Sequence, residues 1–290
     1  ARVCRSGLMP WERVRSGKRA KLEVMILTTG PFWTWPAGVV ATLAYAVPAL
    51  MASRLGERAA QRWLWLAWAS HALSLLGLLV GGLHFGFGPA LSVTAWLMLT
   101  VYMVESQLYP QLRARWAMGM LGALAVLLAL IFPGSGMHMA RSAWLPLHLA
   151  LGLSAYGLFA AAVVHAWMMT RTEQLIRTGR DADTGLPLLT LERLTFNFVY
   201  AGFVLLTATL LAGMVFGEAL YGPGHGWRWD HKTVFALLAW FTFVVLIVGR
   251  HRLGWRGKKA VRVLYTGAAL LLMSYAGSRF VLEVLLGRMA

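Results

Sequence analysis

The chain is poor in cysteine and in charged residues. Cys4 is the only cysteine among 290 residues, which excludes disulfides within the chain, cysteine-based metal clusters and a C-x-x-C-H site for covalent haem. Charged residues make up 13% of the sequence, against about 25% in soluble domains. Hydrophobic residues reach 59%, with a mean hydropathy of +0.63. These values exclude a soluble enzyme, a disordered tail and a disulfide-rich secreted module.

The common hydrolytic and redox motifs are also absent. The sequence contains no G-x-S-x-G, no H-E-x-x-H and no C-x-x-C, so it offers no nucleophile elbow, zinc-protease helix or thiol redox pair. We therefore predict no catalytic residue from these motifs. No stretch between the apolar segments has room for a soluble domain, so any chemistry lies within those segments or just outside them.

Long apolar runs predict an all-α membrane helix bundle. About 20 mostly apolar residues are needed to cross roughly 30 Å of hydrocarbon, and eight segments meet or approach that length. They cover residues 31–53, 63–83, 85–104, 116–132, 143–169, 197–217, 233–249 and 263–286. The longest predicted connection is the polar stretch 170–195.

The distribution of basic residues predicts the orientation of this bundle. The connections after the odd-numbered spans hold 15 Lys and Arg, whereas those after the even-numbered spans hold 3. Cytoplasmic loops carry the excess of basic residues, so the odd connections are predicted to be cytoplasmic. An eight-span chain then has both ends outside.

Residues 1–24 do not fit this orientation. They contain seven Lys and Arg and two Glu without apolar periodicity, although the predicted topology places them outside. We interpret them as a basic leader, an upstream extension or a wrongly chosen start, followed by a single eight-span domain over residues 25–290. Without residues 1–24 the formal net charge falls from +16 to +11, and the case for nucleic-acid binding loses its main support.

Histidines inside the spans are the first candidates for a functional site. Ionisable residues at membrane depth are costly and usually functional, and neutral imidazole ligates iron, copper and zinc. His71 and His251 are predicted near the cytoplasmic face, and His148 near the outer face. Each has an alternative interpretation, since span histidines often hydrogen-bond between helices and His251 also suits a basic interface anchor. We interpret His165 as structural.

The segment 224–232, G-H-G-W-R-W-D-H-K, is a second candidate. Its tryptophans, Trp227 and Trp229, suit an aromatic belt at the membrane surface, and Asp230 suits a helix N-cap. Alternatively, the two indoles stack on a flat apolar ring while Arg228 or Lys232 pairs with carboxylates. Haem matches that description, because it is an apolar macrocycle with two propionates and an iron that accepts histidine.

Several motifs together resemble the cytochrome c assembly family, whose CcsA-like members are haem-handling membrane proteins. The resemblance covers residues 31–287. Two segments resemble the family's short eight-span YpjD/HemX-like branch: W-A-S-H-A-L-S-L-L-G around His71, and Y-A-G-S-R-F-V at residues 275–281. The matching residues are Trp227, Trp229, Asp230, Lys232, His251, Gly254, Trp255, Arg256 and Gly257, and then His148, Ser154 and Tyr156 in L-P-L-H-L-A-L-G-L-S-A-Y.

The resemblance implies an inner-membrane protein of bacteria that binds haem b without a covalent bond and takes part in c-type cytochrome assembly. It implies His148 as an outer iron ligand and His71 and His251 as inner ones, with Trp227, Trp229, Asp230 and Lys232 completing a cofactor-binding surface. The implied partners are the lipid bilayer and apocytochrome c or other assembly proteins. The chain departs from the family pattern in its shorter tryptophan-rich loop and in the last span, which lacks histidine. Both departures count against synthase activity.

Two other functions remain open at this stage. A HemX-like regulator or scaffold of tetrapyrrole or complex assembly would need no catalysis. A small-molecule or metal transporter would use the same histidines, although we find no inverted repeat and no matching pair of broken spans. In the last span, Arg279 and Glu283 are predicted to pair with each other.

Overall fold

The structure is a computed structural model that describes residues 31–51, 54–80, 84–109, 114–136, 144–179, 186–217 and 229–285. Over this part of the chain it contains eight helices, which confirms the predicted all-α fold. They are α1 (Thr34–Leu50), α2 (Glu57–Val80), α3 (Phe87–Leu108), α4 (Arg115–Ile131), α5 (Trp144–Arg177), α6 (Leu188–Val215), α7 (His231–Leu253) and α8 (Gly257–Leu272). The predicted leader, residues 1–24, lies outside the described residues.

The helices differ in whether they are long and apolar enough to span a membrane. Five are long and apolar enough to cross a membrane by length and composition: α3, α5, α6, α7 and the helix that runs from Gly257 to Phe280. Two shorter apolar helices, α1 and α4, have 17 residues each. Helix α2 has 24 residues and carries Glu57, Arg58 and Arg62 in its first two turns.

The connection predicted over residues 170–195 is largely helical. Helix α5 continues to Arg177 and α6 begins at Leu188. At 1.5 Å per residue, the 34 residues of α5 extend about 51 Å, well beyond a hydrocarbon layer of roughly 30 Å. The last turns of α5 therefore project past the apolar layer with their polar residues.

The last helix changes its geometry after α8. Met273–Gly277 form a π-helical turn, Ser278–Phe280 a single α-turn, and Val281–Leu285 a second π-helical turn. We call Met273–Leu285 the π-segment. π-Helical turns are rare and occur frequently at functional sites. This end of the bundle is therefore a candidate location for a functional site.

Close packing holds the bundle together in two groups that α3 connects. Helix α1 packs on α2 and α4, α5 on α6, α7 on α8, and α3 on both α4 and α5. In the first group, the ring of Tyr45 packs against Gly122, where an added Cβ would lie 2.9 Å from the ring. In the second, Phe159 and Phe243 stack with ring centroids 3.9 Å apart. Small residues let the helices approach, as is usual between membrane helices.

The two ends of the bundle differ in which connections meet there. At one end, Arg115 contacts Glu57 and Trp116 contacts Trp167, so connections one, three and five lie together. At the other end, His84–Phe85 pairs antiparallel with Ser135–Gly136 in a two-residue ladder. Arg250, at the start of connection seven, pairs with Glu192 of connection five, so the basic connections share one end, as the charge pattern predicts. We call the opposite end outer, following the predicted orientation.

Candidate functional site

A cavity of about 590 Å³ opens between helices at the outer end. Helices α3, α5, α6, α7 and α8 and the π-segment form its walls. Its volume lies within the 300–1,000 Å³ that is usual for sites of small molecules and cofactors. Leucines of α5, α6 and α8 supply most of the apolar lining, and the titratable residues that line it are His148, Tyr156, Asp230, Lys232, Tyr275 and Arg279.

His148 lies one turn into α5 and faces this cavity. Its Nδ1 is buried and has no hydrogen-bond partner among the described residues. The space beside the ring comes from Gly213 of α6, where a Cβ would lie 3.5 Å from the His148 Cε1. A buried polar atom without a partner is rare in a folded protein and calls for an explanation. A bound ligand that uses this nitrogen is one.

The first turn of α7 brings a cap and a cation to the same cavity. Asp230 is the N-cap residue, and its Oδ1 accepts a 2.9 Å hydrogen bond from the Thr233 backbone N–H. Partial burial would raise the pKa of the Asp230 carboxyl, but bonds from the Thr233 N–H and hydroxyl and the nearby positive charge of Lys232 lower it below its usual value. Lys232 then follows two residues later and lines the cavity.

Hydroxyl groups hold the wall that α8 and the π-segment present. Tyr156 of α5 donates to the Leu271 carbonyl, at the point where the regular helix ends. Ser278 donates to the Tyr275 carbonyl at 2.8 Å, and Ser274 donates to the Lys232 carbonyl at 2.9 Å. The bonds to the Leu271 and Tyr275 carbonyls satisfy backbone groups at the wide turn, which is how broken helical geometry is tolerated within a membrane, and the bond to the Lys232 carbonyl joins the turn to α7. Tyr156 therefore acts through Leu271 to position the cavity wall.

His251 lies at the other end of α7, twenty-one positions after Asp230. It is exposed, and its Nε2 shares a 3.0 Å hydrogen bond with the Tyr200 hydroxyl. The neighbouring Arg250 pairs with Glu192 of α6. At 1.5 Å per residue, twenty-one positions correspond to about 32 Å, so the structure keeps His251 and His148 at opposite ends of the bundle.

His71 lies apart from the cavity, inside the packing of α1, α2 and α3. Its Nδ1 contacts the Tyr45 hydroxyl at 3.3 Å and its Nε2 contacts the Ser92 hydroxyl at 2.8 Å. The side chain is fully buried. It is nine residues from the end of α2 at Val80 and fourteen from its start, near the middle of the helix. Both nitrogens are used in hydrogen bonds between helices.

The structure brings together only part of the predicted tryptophan-rich surface. Trp229 is 74% exposed and is not among the residues that line the cavity. Trp227 lies outside the described residues, as do Arg228 and His225. Asp230 and Lys232 are the members that reach the cavity. Among the described residues, no group of three or more His, Cys, Asp or Glu side chains could hold a metal ion.

Two features of the structure were not selected from the sequence. Arg279, predicted only as the partner of Glu283, lines the outer cavity, and the side chain of Glu283 is not among those described. Near the basic end, a carboxylate oxygen of Glu105 in α3 lies 3.0 Å from the Nε2 of His165 in α5, with both side chains about 95% buried. The available signal for Glu105 was an acidic residue directly after the predicted span 85–104, because acidic residues at membrane depth are usually paired.

Comparison with known proteins decides the family. Residues 61–286 match the family described as cytochrome C assembly protein, a region that includes His71, the whole outer cavity and His251. The chain belongs to the cytochrome c assembly family. With this membership and the five long apolar helices, it is a multi-pass membrane protein of that family.

The chain is similar to curated proteins that include YpjD and CcsA. The inner membrane protein YpjD of Escherichia coli K12 is 29% identical over 150 residues, which are 51% of this chain and 56% of YpjD. A 28.8 kDa protein of Azospirillum brasilense is 28% identical over 77% of this chain and 84% of its own length. The cytochrome c biogenesis protein CcsA of Prochlorococcus marinus AS9601 is 32% identical over 31% of this chain and 28% of CcsA.

The chain spans about half the length of the first curated relatives that it matches, 56% for YpjD. The resemblance to CcsA and the YpjD branch is confirmed by these matches. No solved structure matches the chain.

Proposed function

We propose that this chain binds haem b non-covalently in the outer cavity and takes part in c-type cytochrome assembly in the inner membrane of bacteria. The observation that carries the proposal is the buried Nδ1 of His148, which faces the cavity without a hydrogen-bond partner among the described residues. Imidazole is a common axial ligand of haem iron. When bound, haem supplies an iron that accepts such a ligand, an apolar ring and two carboxylates.

The residues around His148 fit such a group. The leucines of α5 and α6 offer an apolar surface for the ring, and the cavity volume is sufficient for a cofactor. Lys232 and Arg279 line the same cavity and carry the positive charge that propionates require. Asp230 caps α7 and so fixes the turn that carries Lys232. Tyr156 holds the opposite wall through the Leu271 carbonyl.

The inner ligands stay predictions. His251 is exposed at the basic end. Its Nε2 is hydrogen-bonded to the Tyr200 hydroxyl, which leaves its Nδ1 for a ligand. We propose His251 as the inner ligand on that ground. Iron ligation by His71 would require one of its two hydrogen bonds to break, and its present contacts match the alternative of a bonding residue between helices.

Regulation or scaffolding without catalysis is a second candidate function, which one observation favours. Among the described residues that line the cavity, His148 is the single histidine. A haem bound in the cavity would be held by His148, and no other described lining residue would supply an imidazole. That arrangement suits storage, sensing or delivery. Apocytochrome c and other assembly proteins are the proposed partners.

The proposal is tested by measuring the haem content of the purified protein. Replacing His148 with Ala is expected to lower the Soret absorbance per protein by about tenfold or more, because the iron loses its outer protein ligand. His251→Ala is measured in parallel and tests the inner site. His231→Ala is the matched control, since His231 is an exposed histidine at the start of α7 that does not line the cavity.

Two results would contradict the proposal. Unchanged haem content in His148→Ala, at normal yield and thermal stability, would remove His148 as a ligand. A loss that equals the loss in His231→Ala would show that the outer end is merely sensitive to substitution. His148→Gly with added imidazole provides a further check, because an imidazole in the vacated space should restore the Soret band.

A further inference from the structure

Two cations from different elements meet on one wall of the outer cavity. Lys232 belongs to the first turn of α7, and Arg279 belongs to the short α-turn of the π-segment. Both lie near the ring of Tyr275, with the Lys232 Nζ 5.8 Å and the Arg279 Cζ 5.9 Å from its centroid. Since each cation is within 6 Å of the same ring, the two charges occupy one region of the cavity.

Local structure positions the backbone segments that carry these two side chains. The Ser274 hydroxyl joins the π-segment to the backbone of Lys232, so the two elements that carry the cations are linked directly. Ser278, next to Arg279, bonds back to the Tyr275 carbonyl and fixes the turn between the ring and the guanidinium. Because these backbone positions are fixed, binding an anion would not require the two elements to move relative to each other.

The charge and polarity of the remaining lining indicate what this pair would bind. Asp230, which caps α7 and lies near Lys232, is the carboxylate among the described lining residues. The described lining therefore carries more positive than negative charge, which favours an anionic ligand. The facing walls carry Leu149, Leu153 and Leu210, so the remainder of the ligand is apolar.

We propose that Arg279 and Lys232 form a carboxylate-binding pair that selects porphyrins with two free carboxylates. This inference rests on the proposed function, since it takes the apolar body of the ligand to be a porphyrin. Arginine binds carboxylates in a planar, two-bonded geometry and lysine as a point charge. The pair acts on the edge of the ligand, away from the iron and His148. Selection by the pair therefore does not require a metal.

Metal-free porphyrins separate this role from iron ligation. Purified full-length protein is titrated with protoporphyrin IX and, separately, with its dimethyl ester, and binding is followed by quenching of tryptophan fluorescence. The wild type is expected to bind the diacid about tenfold more tightly than the diester, because one charge-assisted interaction is lost with each ester.

Variants of the pair complete the test. Arg279→Gln is expected to weaken diacid binding about tenfold and to leave diester binding unchanged, with Arg279→Lys between the two. Arg262→Gln is the matched control, because Arg262 is an exposed arginine of the same helix that does not line the cavity. Lys232→Gln provides an independent variant from the other element.

Each outcome tests whether Arg279 and Lys232 bind the carboxylates of the porphyrin. Equal affinity of the wild type for diacid and diester would overturn the pair while leaving haem binding intact. Equal diacid affinity in Arg279→Gln and the wild type would remove Arg279 from it. If Arg279→Gln fails to fold, the wild-type comparison and Lys232→Gln decide. Absence of binding of either porphyrin by the wild type would contradict both the pair and the proposed function.

Discussion

At the residue scale, the buried pair of Glu105 and His165 shows how a carboxylate is held inside the bundle. The His165 Nε2 lies 3.0 Å from a Glu105 oxygen, and the His165 Nδ1 bonds the Ala161 carbonyl at 2.8 Å. The contact joins α3 to α5, and so joins the two packing groups of helices. Removing one member of a buried pair leaves the other without compensation, which costs more than the pair contributes.

A double-mutant cycle tests this pair. Glu105→Leu and His165→Leu are each expected to lower the free energy of unfolding by about 3 kcal/mol, whereas the double variant should lose clearly less than the sum of the two. Unfolding in mixed detergent micelles gives the free energies. Glu57→Leu is the control, because Glu57 is 75% exposed in its contact with Arg115 and exposed pairs contribute little. Strictly additive losses would show that the two side chains do not interact.

At the element scale, the turn between α7 and α8 explains the spacing of G-W-R-G. Gly254 ends α7 with φ +62°, and Gly257 begins α8 with φ +54°. The Trp255 N–H donates to the Gly249 carbonyl at 3.0 Å, and the Gly254 N–H donates to the same carbonyl, so a left-handed glycine closes the end of α7. The indole lies over Gly249, where an added Cβ would come within 2.3 Å of its ring. The motif is thus a structural turn next to His251.

Substitutions at these glycines should separate backbone strain from steric conflict. Gly254→Ala is expected to cost about 1–2 kcal/mol, because an L-residue is disfavoured in the left-handed region. Gly249→Ala should cost more, since the rigid Trp255 ring must move. Thermal unfolding of the purified protein measures both. Gly56→Ala is the control, because nothing lies within 4 Å of a Cβ there. A Gly249→Ala variant as stable as the wild type would contradict the packing of Trp255.

At the scale of the whole molecule, the charged and polar features separate to opposite ends. The contacts of Arg115 with Glu57 and of Arg250 with Glu192 lie at the basic end, and the outer cavity lies at the other. The positive-inside rule then predicts that the cavity faces away from the cytoplasm. A cofactor bound there would be presented on the side where the predicted partner, an apocytochrome, would meet it.

Single cysteines test the orientation. In a Cys4→Ala background, Trp229→Cys marks the outer end, where the side chain is 74% exposed, and Thr178→Cys marks the end of α5. A membrane-impermeant maleimide is expected to label residue 229 in right-side-out vesicles and residue 178 only in inverted ones. The reverse pattern would invert the topology, and labelling of both positions from one side would contradict the bundle itself.

Much of the fold could be predicted from local sequence. Apolar length marks each helix, because backbone groups in hydrocarbon must bond within their own helix. The N-cap at Asp230 was also predictable, since a cap depends on neighbouring residues only. The extent of α5 was not: Arg171, Glu173 and Arg177 interrupt the apolar pattern, yet the helix continues through them, because hydropathy reports the membrane boundary rather than the end of a helix.

The sequence by itself therefore determined the helical membrane bundle, the separation of its basic connections to one end, and His148 and Lys232 as outer candidates. Only the tertiary structure decided which side chains share the cavity. It placed Arg279 in the cavity wall, showed that Tyr156 positions this wall, and left Trp229 outside the cavity. It also showed that the two ring nitrogens of His71 are hydrogen-bonded to Tyr45 and Ser92. These contacts join residues far apart in the chain, and the packing of several helices sets their distances, which no local pattern encodes.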